Sequence, residues 1–223
     1  MNFELFIAKR LSNSNLNKNY YSGPIIKICI AAISISTIIM IIAVSSGLGL
    51  KQAIKQKLIN LESHIQISSI NKSDEFESIE IQKDILKKIH EINGIKYINP
   101  IIKKSAIISK ENYFDGILLK GIDPYDNHKV IQKSIVKGSY FNEEIHNQIL
   151  LSHTQAKKLN IDIGESCVLY FLSKNKNIQK RKFIVQGIFN METEMFDQVY
   201  AFTQNKTLQK INKWSNQEVT GYE

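Results

Sequence analysis

Two cysteines, three prolines and one tryptophan in 223 residues close off several classes at the outset. Cys29 lies in an apolar segment near the front and Cys167 far along the chain, so no disulfide framework holds the fold together. Neither has a CxxC neighbour, and Cys167 reads as a small buried apolar residue. The five histidines, His64, His90, His128, His146 and His153, show no HExxH spacing. His146 and His153 lie seven apart at a strand–helix junction, but Glu143 and Glu144 beside them read as a solvated turn rather than as metal ligands. There is no Walker A run and no nucleophile elbow, and Gly121 and Gly164 read as strand–turn punctuation rather than as a phosphate cradle. No catalytic group, metal or cofactor is therefore assigned. The chain is not read as an enzyme, and any nucleotide must be bound by a partner. The formal charge of +8 is spread along the chain, with one tight basic cluster at Lys180-Arg181-Lys182 that reads as a solvated hairpin edge. A nucleic-acid binder would concentrate its charge on one face with aromatics between, so no nucleic-acid partner is expected.

Charge itself is missing from Ile28 to Leu50. Those 23 residues make roughly 34 Å of helix at about 1.5 Å per residue, enough to cross a hydrocarbon core of about 30 Å. Ala43 and Ser45 have the spacing of a signal-peptide cleavage site, but the stretch exceeds an h-region and 27 residues precede it, so it reads as retained. Lys9, Arg10, Lys18 and Lys27 precede it and favour a cytoplasmic N-terminus, against Lys51, Lys55 and Lys57 just beyond. Small residues run along the segment, among them Ala32, Ser36, Ser45, Gly47 and Gly49. They let neighbouring backbones approach, so this helix is built to pack in a membrane bundle rather than to anchor alone.

Residues 1–24 read as a cytoplasmic arm, with Phe3, Phe6, Ile7 and Leu11 on one side of a short amphipathic helix. The membrane helix occupies 25–50, and Ala53, Ile54, Leu58 and Leu61 continue its periodicity as a stalk to about residue 62. Residues 63–223 then mix the two periods in an α+β domain, read as two lobes. Alternation predicts strands at His64–Ser68, Ile98–Ser109, Gly116–Leu119, Gln148–Leu151, Ser166–Leu172, Phe183–Phe189 and Gln198–Phe202. Helices are predicted at Ile81–Ile92, stopped by Gly94, and at His153–Leu159 and Thr207–Ile211, with a hairpin turn at Asn175-Lys176-Asn177. Met191 and Met195, with Phe189 and Phe196, fit core packing better than an adaptable lipid- or partner-binding surface.

The order of segments resembles the FtsX-like ABC permease superfamily, and within it the LolC/LolE lipoprotein-releasing permeases and the MacB pumps. Phe6-Ile7-Ala8-Lys9-Arg10-Leu11 resembles the family's arm, and Ala43-Val44-Ser45-Ser46-Gly47-Leu48 its helix end with shortened spacing. Ser63-His64-Ile65-Gln66-Ile67 resembles the first extracytoplasmic strand, and the run from Gly94 to Pro100 a Pro-Gly-Val…Val-x-Pro segment. Leu119-Lys120-Gly121-Ile122-Asp123-Pro124 is the most specific match, to Leu-x-Gly-Ile-Asp-Pro. Ile149–Ser152 with Ala156, Leu159 and Asp162–Glu165 follows, Gly164 included; Phe183–Phe189 with Gly187, then Phe196-Asp197, completes the set.

The resemblance implies a subunit with four membrane helices, of which this chain would hold the first, and a MacB-like periplasmic core domain in the bacterial inner membrane. It implies a LolD-like ABC ATPase partner that binds the ATP, a second permease subunit or a second copy, and a lipoprotein substrate. Two departures bear on it. The chain stops at Glu223, before the later helices, and so reads as a fragment. In LolC the hairpin matching Leu172–Lys182 is longer, carries prolines and recruits a soluble carrier; here it is short and has none, which puts carrier recruitment in doubt. The alternatives are a MacB- or FtsX-like permease for another substrate and a single-pass anchored binding or scaffold protein.

Overall fold

The computed structural model describes residues 3–12, 22–69, 77–111, 113–124, 128–142, 145–175 and 177–223. Glu143, Glu144 and Lys176 lie outside the described residues. Packing divides the chain into two units, Met1–Leu58 and Ile59–Glu223.

The first unit is helical. α1 spans Phe3–Ser12, and Leu5, 68% exposed, lies off the apolar stripe assigned to it. α2 spans Ser22–Glu62. Pro24 sits in its first turn, where a missing N–H costs nothing. Every side chain from Ile28 to Leu50 is exposed. Ser34 and Thr37 donate their hydroxyls to the carbonyls of Ile30 and Ile33 at 2.8 Å, so neither polar group faces an apolar environment unsatisfied. Among the described residues, α2 alone is long and apolar enough to cross a membrane, over Pro24–Gln56.

The second unit takes in the last turn of α2 and a mixed sheet. Its elements are β1 (Ile67–Ser68), α3 (Lys83–His90), β2 (Pro100–Lys110), β3 (Tyr113–Ile122), α4 (Lys129–Ser134), β4 (Ile135–Gly138), β5 (Gln148–Ser152), α5 (His153–Lys158), β6 (Ser166–Leu172), β7 (Ile178–Phe189), α6 (Glu194–Val199), β8 (Tyr200–Gln204), α7 (Asn205–Asn212) and β9 (Gly221–Tyr222). This is an α+β fold. Strand pairing runs β2-β3-β8-β5-β7-β6 and returns to β2, so six strands close on themselves. Closure removes the free edges those strands would otherwise expose. The seam is narrowest between β5 and β8, joined at Leu150–Phe202.

Alternation fills the ring. Cys167, Leu169 and Phe171 of β6 and Phe183 and Val185 of β7 point inward, with Ile102, Ala106 and Ile108 of β2 and Ile117 and Leu119 of β3, into one core. The β5–β7 pairing shifts register at Ile149/Leu150, where β7 carries the extra residue Gln186 between Val185 and Gly187. All five residues of β5 are buried: Ile149 and Leu151 face the first core, while Leu150 joins Ile122, Ile131, Phe141, Phe189 and Phe202 in a second. The two lobes expected from the sequence are thus two apolar cores on one connected sheet.

Several local expectations need correction. The strand at His64–Ser68 shrinks to Ile67–Ser68, because β9 offers it only two partners and Ser63 turns with φ 57°. α3 ends at His90, with the Glu91 N–H bonded to the Lys87 carbonyl; Gly94, at φ +101°, serves the turn beyond rather than the helix end. Gln198 and Val199 belong to α6, whose first turn is held by N–H groups of Phe196 and Asp197 on the Thr193 carbonyl. α4, β4 and α6 are additional elements. At the β6–β7 turn, the Ser173 N–H meets the Asn177 carbonyl at 2.9 Å. Phe189 and Phe202 meet as tilted rings, centroids 5.1 Å apart, in the second core, with Met191 and Phe196 packed against it, but Met195 is 73% exposed.

Candidate functional site

The sequence-derived positions do not converge. Ala32, Ser36, Ser45, Gly47 and Gly49 are exposed along α2, and a Cβ on either glycine would meet nothing. Gly121 and Gly187 are close-approach points. A Cβ on Gly121 would lie 2.7 Å from Asn205 Oδ1 and 2.9 Å from Leu208 Cδ1, and one on Gly187 2.6 Å from the Ser139 carbonyl. Pro100 opens β2, and its carbonyl accepts from Asn205 Nδ2 at 2.8 Å. Asp123 and Pro124 follow the end of β3 and border a small cavity with His146. Gly164, at φ +80°, makes the Asp162–Glu165 turn, whose Asp162 pairs with Lys137. Asp197 is buried; it accepts from the Met191 N–H at 3.1 Å, and its carbonyl accepts from the Ser152 hydroxyl. These residues shape the fold. Among the described residues no cluster of His, Cys, Asp or Glu could hold a metal ion.

What does converge is a set of ionisable groups around Glu62, the last residue of α2 and part of the second unit. One carboxylate oxygen of Glu62 takes a hydrogen bond from Lys103 of β2; the other takes one from the Tyr200 hydroxyl at the start of β8. Lys103 also lies 3.6 Å from Glu223. Glu223 pairs with Lys120 of β3 at 2.7 Å, with side-chain exposures of 6% and 2%. Gln66 donates to Glu62 and to Glu223 at 3.3 Å. The Glu223 backbone is locked to Asn99 by two hydrogen bonds, of 2.7 and 2.9 Å. Two lysines thus face two glutamates; the helix end is bonded directly to β2 and β8, and Lys120 of β3 joins the set through Glu223.

The electrostatics follow from burial. Desolvation works to raise the Glu62 pKa, yet the hydrogen bonds from Lys103 and Tyr200 and the charge of Lys120 outweigh it and leave the carboxyl below its ordinary value. Burial lowers the Lys120 pKa, and Glu223 and Glu62 offset this in part. Burial and the Glu62 carboxylate raise the Tyr200 pKa, which keeps the phenol a donor. His128 is held neutral, its pKa lowered to about 4 by burial and by Lys120, with Asp123 opposing. Sequence reasoning missed this network. Its one local trace is Lys120, a charged residue in a strand whose next neighbours on both sides are buried.

An N-terminal apolar helix long enough to cross a membrane, followed by a closed mixed sheet that holds its last residue, defines an α+β core domain behind an apolar helix. The model of the MacB-like periplasmic core domain matches residues 28–220, and the chain belongs to that family. It is 30% identical to the lipoprotein-releasing system transmembrane protein LolC of Buchnera aphidicola subsp. Acyrthosiphon pisum, over 98% of this chain and 54% of that one. It is 21% identical to the LolE protein of the same system in Haemophilus influenzae, over 100% and 55%. The chain thus spans about half the length of the curated relatives it matches. Among solved structures, the extracellular domain of the noncanonic ABC-type transporter YknZ is similar with a TM-score of 0.46 and 12% identity, over 71% of this chain and 81% of that one. The periplasmic region of MacB from Actinobacillus actinomycetemcomitans gives 0.45 and 15%, over 70% and 71%.

Proposed function

We propose that this chain is part of the membrane subunit of an ABC transporter permease of the lipoprotein-releasing type. α2 is its first membrane helix, with the N-terminus cytoplasmic and the sheet domain periplasmic in the inner membrane. ATP is hydrolysed by a separate ATPase subunit, and a second permease subunit or a second copy completes the assembly. The single observation that carries the reading is the clamp at Glu62. A helix whose last residue is bonded to Lys103 and Tyr200, with Lys120 and Glu223 behind them, passes its displacement to β2, β3 and β8. The small residues Ala32, Ser36, Ser45, Gly47 and Gly49 are the face on which further membrane helices pack.

Two measurements test this. Affinity purification of the full-length protein should bring down an ABC ATPase and a multi-span partner; recovery of the chain alone would favour a single-pass scaffold. Depletion of the protein should make lipoproteins accumulate in the inner membrane. A normal lipoprotein distribution after depletion, with the ATPase still bound, would favour a MacB- or FtsX-like permease for another substrate. The compact β6–β7 turn, closed between Ser173 and Asn177, favours that second reading over carrier recruitment through this hairpin.

A further inference from the structure

The two glutamates of the clamp share their donors. Lys103 bonds to Glu62 and lies 3.6 Å from Glu223, and Gln66 Nε2 donates to Glu62 at 2.5 Å and to Glu223 at 3.3 Å. The Tyr200 hydroxyl, by contrast, bonds to Glu62 alone. Depth differs too. The Glu62 and Lys103 side chains are 22% and 25% exposed, against 6% for Glu223, whose backbone is also fixed by its two bonds to Asn99. Glu62 is thus the carboxylate with access to water. The chain beyond it is built to let it move. Ser63, at φ 57°, ends α2 in the left-handed region, and His64 and Ile65 are exposed. After Gln66 the chain is held again, since Ile67 and Ser68 pair with Tyr222 and Gly221 of β9. The four residue steps from Glu62 to Gln66 reach about 14 Å when extended, whereas the Gln66 amide now folds back onto the Glu62 carbonyl at 2.8 Å.

We propose that the clamp is a two-state latch: Glu62 leaves with the last turn of α2, the Ser63–Ile65 segment extends, and Lys103 and Gln66 pass to Glu223. In the released state Lys120, Lys103 and Gln66 all meet Glu223, so each lysine keeps a carboxylate and the sheet stays intact. Glu62, already part-exposed, exchanges its partners for water. The two carboxylates repel each other and compete for one set of donors, so Glu223 favours release and Tyr200 favours docking. Such a latch limits how far the helix end can pull on β2 and β8 before it lets go. The inference rests on the geometry of the clamp and holds or fails whatever the protein transports. A normal lipoprotein distribution, or loss of the ATPase partner, would leave it untouched.

The test is a spin-label distance measured in the full-length protein in detergent. Labels go on Gln56→Cys of α2 and Met195→Cys of α6, both exposed, with Cys29→Ser as background and the buried Cys167 left in place. Glu62→Ala removes the latch and gives the released distance. Tyr200→Phe removes a bond made only in the docked state, so the ratio of released to docked molecules should rise at least about tenfold. Adding Glu223→Gln to Tyr200→Phe should lower that ratio about tenfold, because Glu62 is then the one carboxylate of the clamp left for Lys103 and Lys120. A purely structural network has the opposite sign, since each lost group would loosen it further. A ratio that stays or rises on adding Glu223→Gln would overturn the proposal. So would a single unchanged distance in the wild type, Tyr200→Phe and Glu62→Ala. Should Glu223→Gln fail to fold, Glu223→Asp, which keeps a charge for Lys120 but draws back from Lys103, decides by the same sign.

Discussion

Replacing Lys120 with Met tests the clamp most directly. The side chains of Lys120 and Glu223 are 2% and 6% exposed, so neither charge is screened by solvent. Deleting the lysine leaves Glu62 and Glu223 facing Lys103 alone, and one negative charge is buried without a counterpart. Breaking a buried pair from one side costs about 3–5 kcal/mol, because the remaining charge keeps its desolvation penalty and loses its attraction. For a unit of this size each kcal/mol shifts the midpoint by roughly 2–4 °C, so a fall of about 6–20 °C is expected. Glu223→Gln should cost a comparable amount by exposing Lys120 to the same imbalance. The double variant removes both charges and approximates an apolar replacement, which is often near neutral. Its loss should therefore fall short of the sum of the single losses by at least about 2 kcal/mol. Thermal unfolding followed at Trp214, which belongs to the same unit, gives all three numbers. A single-variant loss below about 1 kcal/mol, or strictly additive losses, would refute the claim that Lys120 and Glu223 act as one buried unit.

Acid should loosen the second unit in two stages. His128 has a folded pKa of about 4 against an ordinary 6.5, so between those values the unfolded chain binds a proton that the native state refuses. Stability then falls as pH drops through that window, by at most about 3 kcal/mol, and His128→Phe should flatten this part of the pH profile. Glu62 adds a second loss: its lowered carboxyl contributes fully above the ordinary value of 4.5, and the contribution disappears as pH falls through the folded value. A denaturation midpoint constant from pH 6.5 to pH 4.5 would contradict the His128 loss, and one that does not fall further below pH 4.5 would contradict the Glu62 loss. Gly121→Ala should destabilise by about 1–3 kcal/mol in urea unfolding, since its Cβ would press on Asn205 and Leu208. Gly116→Ala, in open space on the same strand, should change stability by less than about 1 kcal/mol. The Cys167 thiol, 1% exposed with its pKa pushed up to about 12 by burial, should resist maleimide at pH 7 until the domain is unfolded. Labelling of Cys167 in native protein at the rate of an exposed thiol would show that β6 is open.

The difference between what could and could not be read from the sequence is one of range. Helices and strands with a clean period were legible, because that signal lies within the element: Phe171, Leu169 and Cys167 alternate, and α2 carries no charge for 23 residues. α4, β4 and α6 were not, because each is only four to six residues long and takes its conformation from neighbours. Of the two glycines weighed as ligand cradles, Gly164 serves a turn at φ +80°, while Gly121 is a place where Asn205 comes too close for a Cβ. The clamp was out of reach for another reason. Glu62, Lys103, Lys120, Tyr200 and Glu223 come from five parts of the chain, and none stands out on its own in a lysine-rich composition. Only closure of the ring brings β2, β3 and β8 beside the end of α2. The same closure turns Lys104 inward between α7 and the hairpin. A lysine on a strand is normally a solvated residue, and here two of them, Lys104 and Lys120, are nearly inaccessible. Burial of an ammonium is unfavourable unless a compensating group comes with it. For Lys120 that group is visible as Glu223, and it forms the clamp.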